Sequence, residues 1–136
     1  MKSVIAGQIE NNLLPREAFM KIVIMDDTRK RREQLKEAIS KHYKNVVEFY
    51  SSNDFITSIE ESSPDLILLD METWRKGKSI YNYLRLGKKL ENTPVILYNA
   101  EEDTYFIQDR TRHEKDRVLP KPTEVGSIVE LVQQNY

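Results

Sequence analysis

The sequence predicts an α/β protein: a three-layer α/β/α sandwich on a five-stranded parallel sheet. Three observations predict it. Short runs rich in Val, Ile and Leu recur at 22–25, 46–50, 66–69, 95–98 and 118–119 without strict polar alternation, the habit of strands buried on both faces. Amphipathic stretches at helical spacing lie between the runs, so successive strands are joined by right-handed crossovers rather than hairpins. Four of the runs end on a polar group: acids, an amide or a lysine.

Residues 1–19 stand apart. Val4, Ile5, Ile9 and Leu13 fit one weak amphipathic helix ahead of Pro15, and Met20-Lys21 reads as a domain start. The expected organisation is an N-terminal extension over 1–19 (helix, tag or disordered lead) and a single domain over 20–136. Strand 1, Lys21-Ile22-Val23-Ile24-Met25, runs into Asp26 and Asp27. Leu35, Ala38, Ile39 and His42 then mark a helix whose basic start, Arg29-Lys30-Arg31-Arg32, reads as solvated surface. After strand 2, Phe55, Ile56 and Ile59 mark the next helix. Pro64-Asp65-Leu66-Ile67-Leu68-Leu69 ends in Asp70. A third helix carries Ile80, Tyr83 and Leu84 and stops at Gly87. Pro94-Val95-Ile96-Leu97-Tyr98 ends in Asn99. Over 101–113 only Tyr105, Phe106 and Ile107 suit a core, a weaker helix. Val118-Leu119-Pro120 ends in Lys121-Pro122, and Val125, Ile128, Val129 and Val132 form the last helix, with Thr123 placed to cap it.

Composition narrows the function. At 136 residues the chain holds one ordinary domain with a real core. Charged residues make up 32% but nearly cancel, leaving a net of −1, so no basic face for nucleic acid stands out. The lack of Cys excludes disulfides and thiolate zinc sites and fits a cytoplasmic address. No apolar stretch approaches the ~18 residues of a membrane helix, and the N-terminus lacks a signal-peptide core.

Ligands of open α/β sheets bind beyond the carboxyl ends of the strands, where strand order reverses. If strand 1 lies between strands 2 and 3, then Asp26, Asp27, Asp70, Asn99 and Lys121 converge. Carboxylates at ~4 Å repel by about 4 kcal/mol per pair at an effective dielectric of 20. Lys121 offsets one charge, and the remainder suits a divalent cation; oxygen ligands point to Mg²⁺ or Mn²⁺. Metal ligands Asp26, Asp27 and Asp70 would leave open positions for phosphate oxygens, with Asp70 as a carboxylate nucleophile. Lys121 and the Asn99 amide would then stabilise the transferred group. Singly, an Asp pair before a helix is more often an N-cap, and a Lys-Pro after a strand is weaker still. The conjunction at four strand ends carries the argument.

From about Met20 to Tyr136 the chain resembles the receiver domain of two-component response regulators. The matching residues are Asp26-Asp27, Asp70 after its apolar strand, and Lys121-Pro122. The resemblance implies the CheY-like, flavodoxin-like fold with strand order 2-1-3-4-5, Mg²⁺ at the acid pair, and Asp70 as phosphoacceptor from a histidine kinase or phosphotransfer protein. It further implies that Lys121 contacts the phosphoryl group. Departures cluster on the signalling face. Asn99 replaces the usual Thr or Ser, Val118 an aromatic, and Glu114-Lys115 a Gly-Ala pair, while Trp74 stands where a Pro is usual.

By the same resemblance Glu72 and Glu101 occupy positions that tune dephosphorylation. Trp74 is expected to anchor its loop, and His42 and His113 to be surface residues, neither a phosphocarrier. With the last helix closing the sequence, the expected function is a stand-alone receiver, not a turnover enzyme. It would signal to an output protein by contact, with a second copy as a further candidate partner and neither nucleic acid nor membrane. The alternative is a pseudo-receiver that docks a partner without phosphorylation. An aspartate-nucleophile phosphatase is rejected because Asp70-Met71-Glu72-Thr73-Trp74 misplaces the required Thr.

Overall fold

The computed structural model describes residues 19–50, 58–59, 61–72, 80–85, 90–101 and 114–136. The expectations at 1–18, Phe55, Ile56, Trp74, Gly87 and 102–113 lie outside the described residues, His113 included. Five strands form one parallel sheet in the order β2-β1-β3-β4-β5: β1 (Lys21–Met25), β2 (Asn45–Phe49), β3 (Leu66–Asp70), β4 (Val95–Ala100) and β5 (Arg117–Pro120). This is the predicted order, and the strands lie within about two residues of the apolar runs.

The central strands explain the pattern. β3 reads LILLD and β4 VILYNA, and every residue of both is buried. Alternate side chains enter opposite layers. Ile22, Ile24, Leu66, Leu68, Ile96 and Tyr98 face Leu35 and Ile39 of helix α1 (Arg29–Ser40) and Ile128 and Val132 of helix α2 (Val125–Asn135). Val23, Met25, Ile67, Leu69, Val95 and Leu97 face Ile59 and the helical stretch 80–85, through Ile80, Tyr81 and Leu84. Each fully buried Leu or Ile is worth about 1.5–3 kcal/mol relative to exposure, so the two layers account for the sheet's cohesion.

Both described helix starts are unusual. Thr28 and Glu124 occupy the N-cap positions in extended conformation, and neither supplies a side-chain cap. The predicted cap, Thr123, is drawn away: its hydroxyl accepts from Asn99 N at 2.9 Å and donates to the Pro120 carbonyl at 2.7 Å. At α1 the first turn carries Arg29, Lys30 and Arg31, charges that the helix dipole disfavours there. Asp26, at the adjoining strand end, compensates; its carboxylate accepts the Thr28 N–H at 2.8 Å.

Candidate functional site

The sheet's own alternation builds the site. On the face toward α1 and α2, the row Ile22, Ile24 continues to Asp26, and the row Leu66, Leu68 continues to Asp70. Register sets them abreast. Met25 pairs with Leu69, which brings Asp26 level with Asp70, and Asp70 itself pairs with Tyr98. Two carboxylates and a phenol thus top one apolar face at the C-terminal edge, with Asp26 and Asp70 2% exposed or less.

Arg31 lies over them. Counting back from the core residues Ile39 and Leu35 in steps of four reaches Arg31, so the helix turns this residue inward. Its Nε donates to Asp26 Oδ2 at 2.7 Å and its Nη2 to Asp26 Oδ1 at 3.1 Å. Nη2 also donates to Asp70 Oδ2 at 2.8 Å, and Nη1 to Glu72 Oε1 at 2.7 Å. One guanidinium therefore joins three acids. The buried Tyr98 hydroxyl donates to Asp26 Oδ2 at 2.8 Å, and Glu72 N–H donates to Asp70 Oδ1 at 2.9 Å.

The electrostatics follow from burial and from the Arg31 cation serving three anions, of which Glu72 also pairs with Lys121. Burial first, and then the Asp26 charge, push the Asp70 carboxyl up to about 6, against the pull of the Glu72 amide and Arg31. Hydrogen bonding from Arg31 holds Glu72 below the usual carboxylate range. Burial opposes the Arg31 charge, yet its bonds to Asp26 and Glu72 hold it above its ordinary value. Burial and the Asp26 charge keep the Tyr98 phenol well above its usual value, so it donates as a neutral hydroxyl.

The predicted residues divide. Asp26 and Asp70 meet as expected. Lys121 does not reach Asp70: its half-exposed ammonium pairs with Glu72 Oε2 at 3.3 Å and Glu101 Oε2 at 3.6 Å, both acids near the pocket mouth. Glu72, and secondarily Glu101, raise the Lys121 pKa. The Asn99 carboxamide turns to the β5–α2 connection, where its Oδ1 accepts the Thr123 N–H at 2.8 Å. Asn99 has φ 55, beside a register shift between β4 and β5. Asn tolerates this left-handed conformation where β-branched residues do not. The Lys121-Pro122 bond is cis.

Asp27, half-buried and one residue past Asp26, does not complete the expected three-acid metal cup. Among the described residues no three His, Cys, Asp or Glu side chains are grouped to hold a metal ion. The cation position between Asp26 and Asp70 is taken by Arg31 at hydrogen-bond distance. As placed, these residues do not fit Mg²⁺ or Mn²⁺. The basic run also departs from a uniformly solvated face. Arg29 is exposed, but Arg31 is only 18% exposed. Arg32 is buried, donating to the Asp26 carbonyl at 2.9 Å. The signal for Arg31 was the helical spacing to Leu35 and Ile39. For Tyr98 it was a phenol inside a two-sided strand, which needs a partner.

Comparisons with known proteins agree with this architecture. The family described as response regulator receiver domain matches residues 22–133. An uncharacterized response regulatory protein of Yersinia pestis is 28% identical over 110 residues, which cover 78% of this chain. The chain spans only 44% of that relative's length. Among solved structures, the Vibrio cholerae chemotaxis protein CheY4 superposes with a TM-score of 0.72 at 13% identity, covering 86% of this chain and 98% of that one. The receiver domain of Francisella response regulator 1452 gives 0.71 at 21% identity, covering 86% and 96%. At these identities the structural likeness speaks for the fold alone.

Proposed function

The chain belongs to the response regulator receiver family, and from that premise we propose that it accepts a phosphoryl group on Asp70. The donor is a histidine kinase or phosphotransfer protein, and the signal passes on to an output protein by contact. The observation that carries this reading is the position of Asp70: the last residue of central β3, abreast of Asp26 and Tyr98, with Arg31 on one oxygen.

In the transfer, an Asp70 oxygen attacks phosphorus. The O–P bond forms as the N–P bond of the donor phosphohistidine breaks. That bonding pair returns to the imidazole nitrogen, which takes a proton from water. No general base is required above the Asp70 pKa of about 6, since the carboxylate is already ionised. Among the described residues, Arg31 and Lys121 are the cations placed to turn toward phosphoryl oxygens, and such charge stabilisation is where this chemistry is won. Loading Asp70 then draws Arg31 and Lys121 off Glu72 and Glu101, shifting the population of arrangements at the pocket mouth. No substrate is turned over beyond the domain's own loading and unloading.

One observation favours a second reading, a pseudo-receiver that docks without phosphorylation. The Asp70 side chain is 1% exposed, and each oxygen already has a partner. For an oxygen of Asp70 to reach phosphorus, at least one of these contacts must give way. The test is a small-molecule phosphodonor followed by intact mass. A gain of one phosphoryl group that Asp70→Asn abolishes supports the first reading. An unchanged mass in the folded wild type, with or without added metal, favours the second.

A further inference from the structure

We infer that Arg31 is a resident counter-cation in the place of a divalent metal, so that this pocket works without one. This deepens the function proposed above and rests on it in one consequence only, the indifference of Asp70 loading to metal.

The argument is one of occupied lone pairs and space. A carboxylate offers about four acceptor positions. Asp26 Oδ1 takes the Thr28 amide and Arg31 Nη2; Oδ2 takes Arg31 Nε and the Tyr98 hydroxyl. Asp26 is thus saturated by donors of its own chain. Asp70 keeps capacity, but its Oδ2 faces the same Nη2 at 2.8 Å. A divalent cation would have to bind within ~2.0–2.6 Å of oxygens that the guanidinium already contacts, and Mg²⁺ demands near-octahedral oxygen around it. Both cannot sit between Asp26 and Asp70.

Arg31 is also held there by more than the acids. Its helix is seated through Leu35 and Ile39, both fully buried on the same stripe, and Arg32 beside it donates to the Asp26 carbonyl. A third acid, Glu72, fixes the remaining prong at 2.7 Å. A planar fork suits this role. It bridges two carboxylates at once, and it pairs equally well with phosphoryl oxygens, so it can follow a loaded Asp70 by a change of partner rather than of position.

The experiment titrates Mn²⁺ into the full chain, reading free ion by electron paramagnetic resonance, for wild type and Arg31→Met. The expected result is no binding at the pocket in wild type and apparent affinity at least about tenfold higher in Arg31→Met, since two buried carboxylates then lack their cation. Wild-type binding as tight as that of the variant overturns the inference. Should Arg31→Met not fold, Arg31→Lys replaces it, because a single ammonium cannot span Asp26, Asp70 and Glu72; the wild-type titration stands without either variant. In parallel, wild type is offered a small phosphodonor in Mg²⁺ or in chelator. Equal loading in both supports the inference, and loading that stops in chelator overturns it. No loading in either buffer overturns the proposed function instead, and the Mn²⁺ titration then decides Arg31 alone.

Discussion

Two buried Arg–Asp centres lie at opposite edges of the sheet, and they are built on different charge arithmetic. At the N-terminal edge Arg85 meets Asp116. Its Nη2 donates to both carboxylate oxygens, at 2.6 and 2.8 Å, and its Nη1 to the Leu90 and Thr93 carbonyls at 3.1 and 3.0 Å. Asp116 also accepts the Tyr81 hydroxyl and the Val95 N–H, each at 2.8 Å. The two side chains are 1% and 0% exposed. At the C-terminal edge one guanidinium serves Asp26, Asp70 and Glu72, and is itself partly exposed. A pair in which both side chains are sealed from solvent is a clasp, joining the 80–85 helix to the entries of β4 and β5. An overdrawn cation is a centre that must rearrange whenever one of its acids changes. The same residue types therefore serve permanence below and change above.

The sharpest way to break the comparison is at the clasp. Asp116→Ala strands the Arg85 charge in the core and takes partners from Tyr81 and Val95. It is expected to cost about 3–5 kcal/mol, read as a lowered urea midpoint. Replacing both partners with apolar residues, Arg85→Met with Asp116→Leu, should recover most of that loss, since an uncompensated charge is worse than none. A loss under about 1 kcal/mol for Asp116→Ala would make the lower pair a bystander.

The upper centre should respond with the opposite sign. Asp70 is an acid whose folded pKa, about 6, lies above the ordinary value of 3.8. The folded state therefore holds this proton more tightly than the unfolded chain does. The resulting stability is fully present below about pH 4 and lost as pH rises through 6. Asp70→Asn removes that term and is expected to be more stable than wild type at neutral pH, by about 1–3 kcal/mol. The advantage should shrink as pH falls from 6 to 4. Denaturation curves at pH 4, 5, 6 and 7 check it, and a variant that stays less stable than wild type at pH 7 contradicts the overdrawn reading. A buried strand-end acid carrying such a cost fits the role proposed for Asp70, a site kept for chemistry rather than for cohesion.

The fold was legible because strands buried on both faces leave continuous apolar runs, and five such runs alternating with amphipathic stretches admit few topologies. The acids of the site were legible for a related reason: Asp26 and Asp70 are the first polar residues after those runs. Arg31 was obscured by its neighbours, since four consecutive basic residues suggest solvent. Only its spacing to Leu35 and Ile39 says otherwise. The Arg85–Asp116 clasp could not be read at all, because its partners stand 31 residues apart and neither belongs to a periodic pattern. Thr123 was misread as a cap because local capping is the commoner use of a Thr before a helix, whereas here the tertiary partner Asn99 wins.

Asn99 offers a smaller test of the same contrast. Its left-handed backbone, φ 55, and its exchange of two hydrogen bonds with Thr123 tie β4 to the β5–α2 connection. Asn99→Thr restores the hydroxyl usual in the family, yet puts a β-branched residue where L side chains crowd the backbone. The expected cost is about 1–2 kcal/mol, with loss of the Thr123 amide's partner. Asn99→Gly keeps the backbone relaxed and loses only the carboxamide, so it should fall between Asn99→Thr and wild type. Equal stability of all three would mean that the conformation of β4 is set elsewhere.

The smallest effect on stability is expected at Lys121, and its smallness is informative. The side chain is 44% exposed, and its partners Glu72 and Glu101 are themselves partly or largely solvated. Exposed pairs of this kind contribute little to folding because water and salt screen them. Lys121→Ala should leave the urea midpoint where it is. Its signature belongs to the pocket instead. With Lys121 gone, Glu72 depends on Arg31 alone, so the guanidinium is held more firmly away from a phosphoryl group on Asp70. Phosphodonor loading of the variant, followed by intact mass over time, should therefore be slower while the fold is untouched. A variant that loads like wild type would reduce Lys121 to a surface charge and leave Arg31 as the cation on which the upper centre turns.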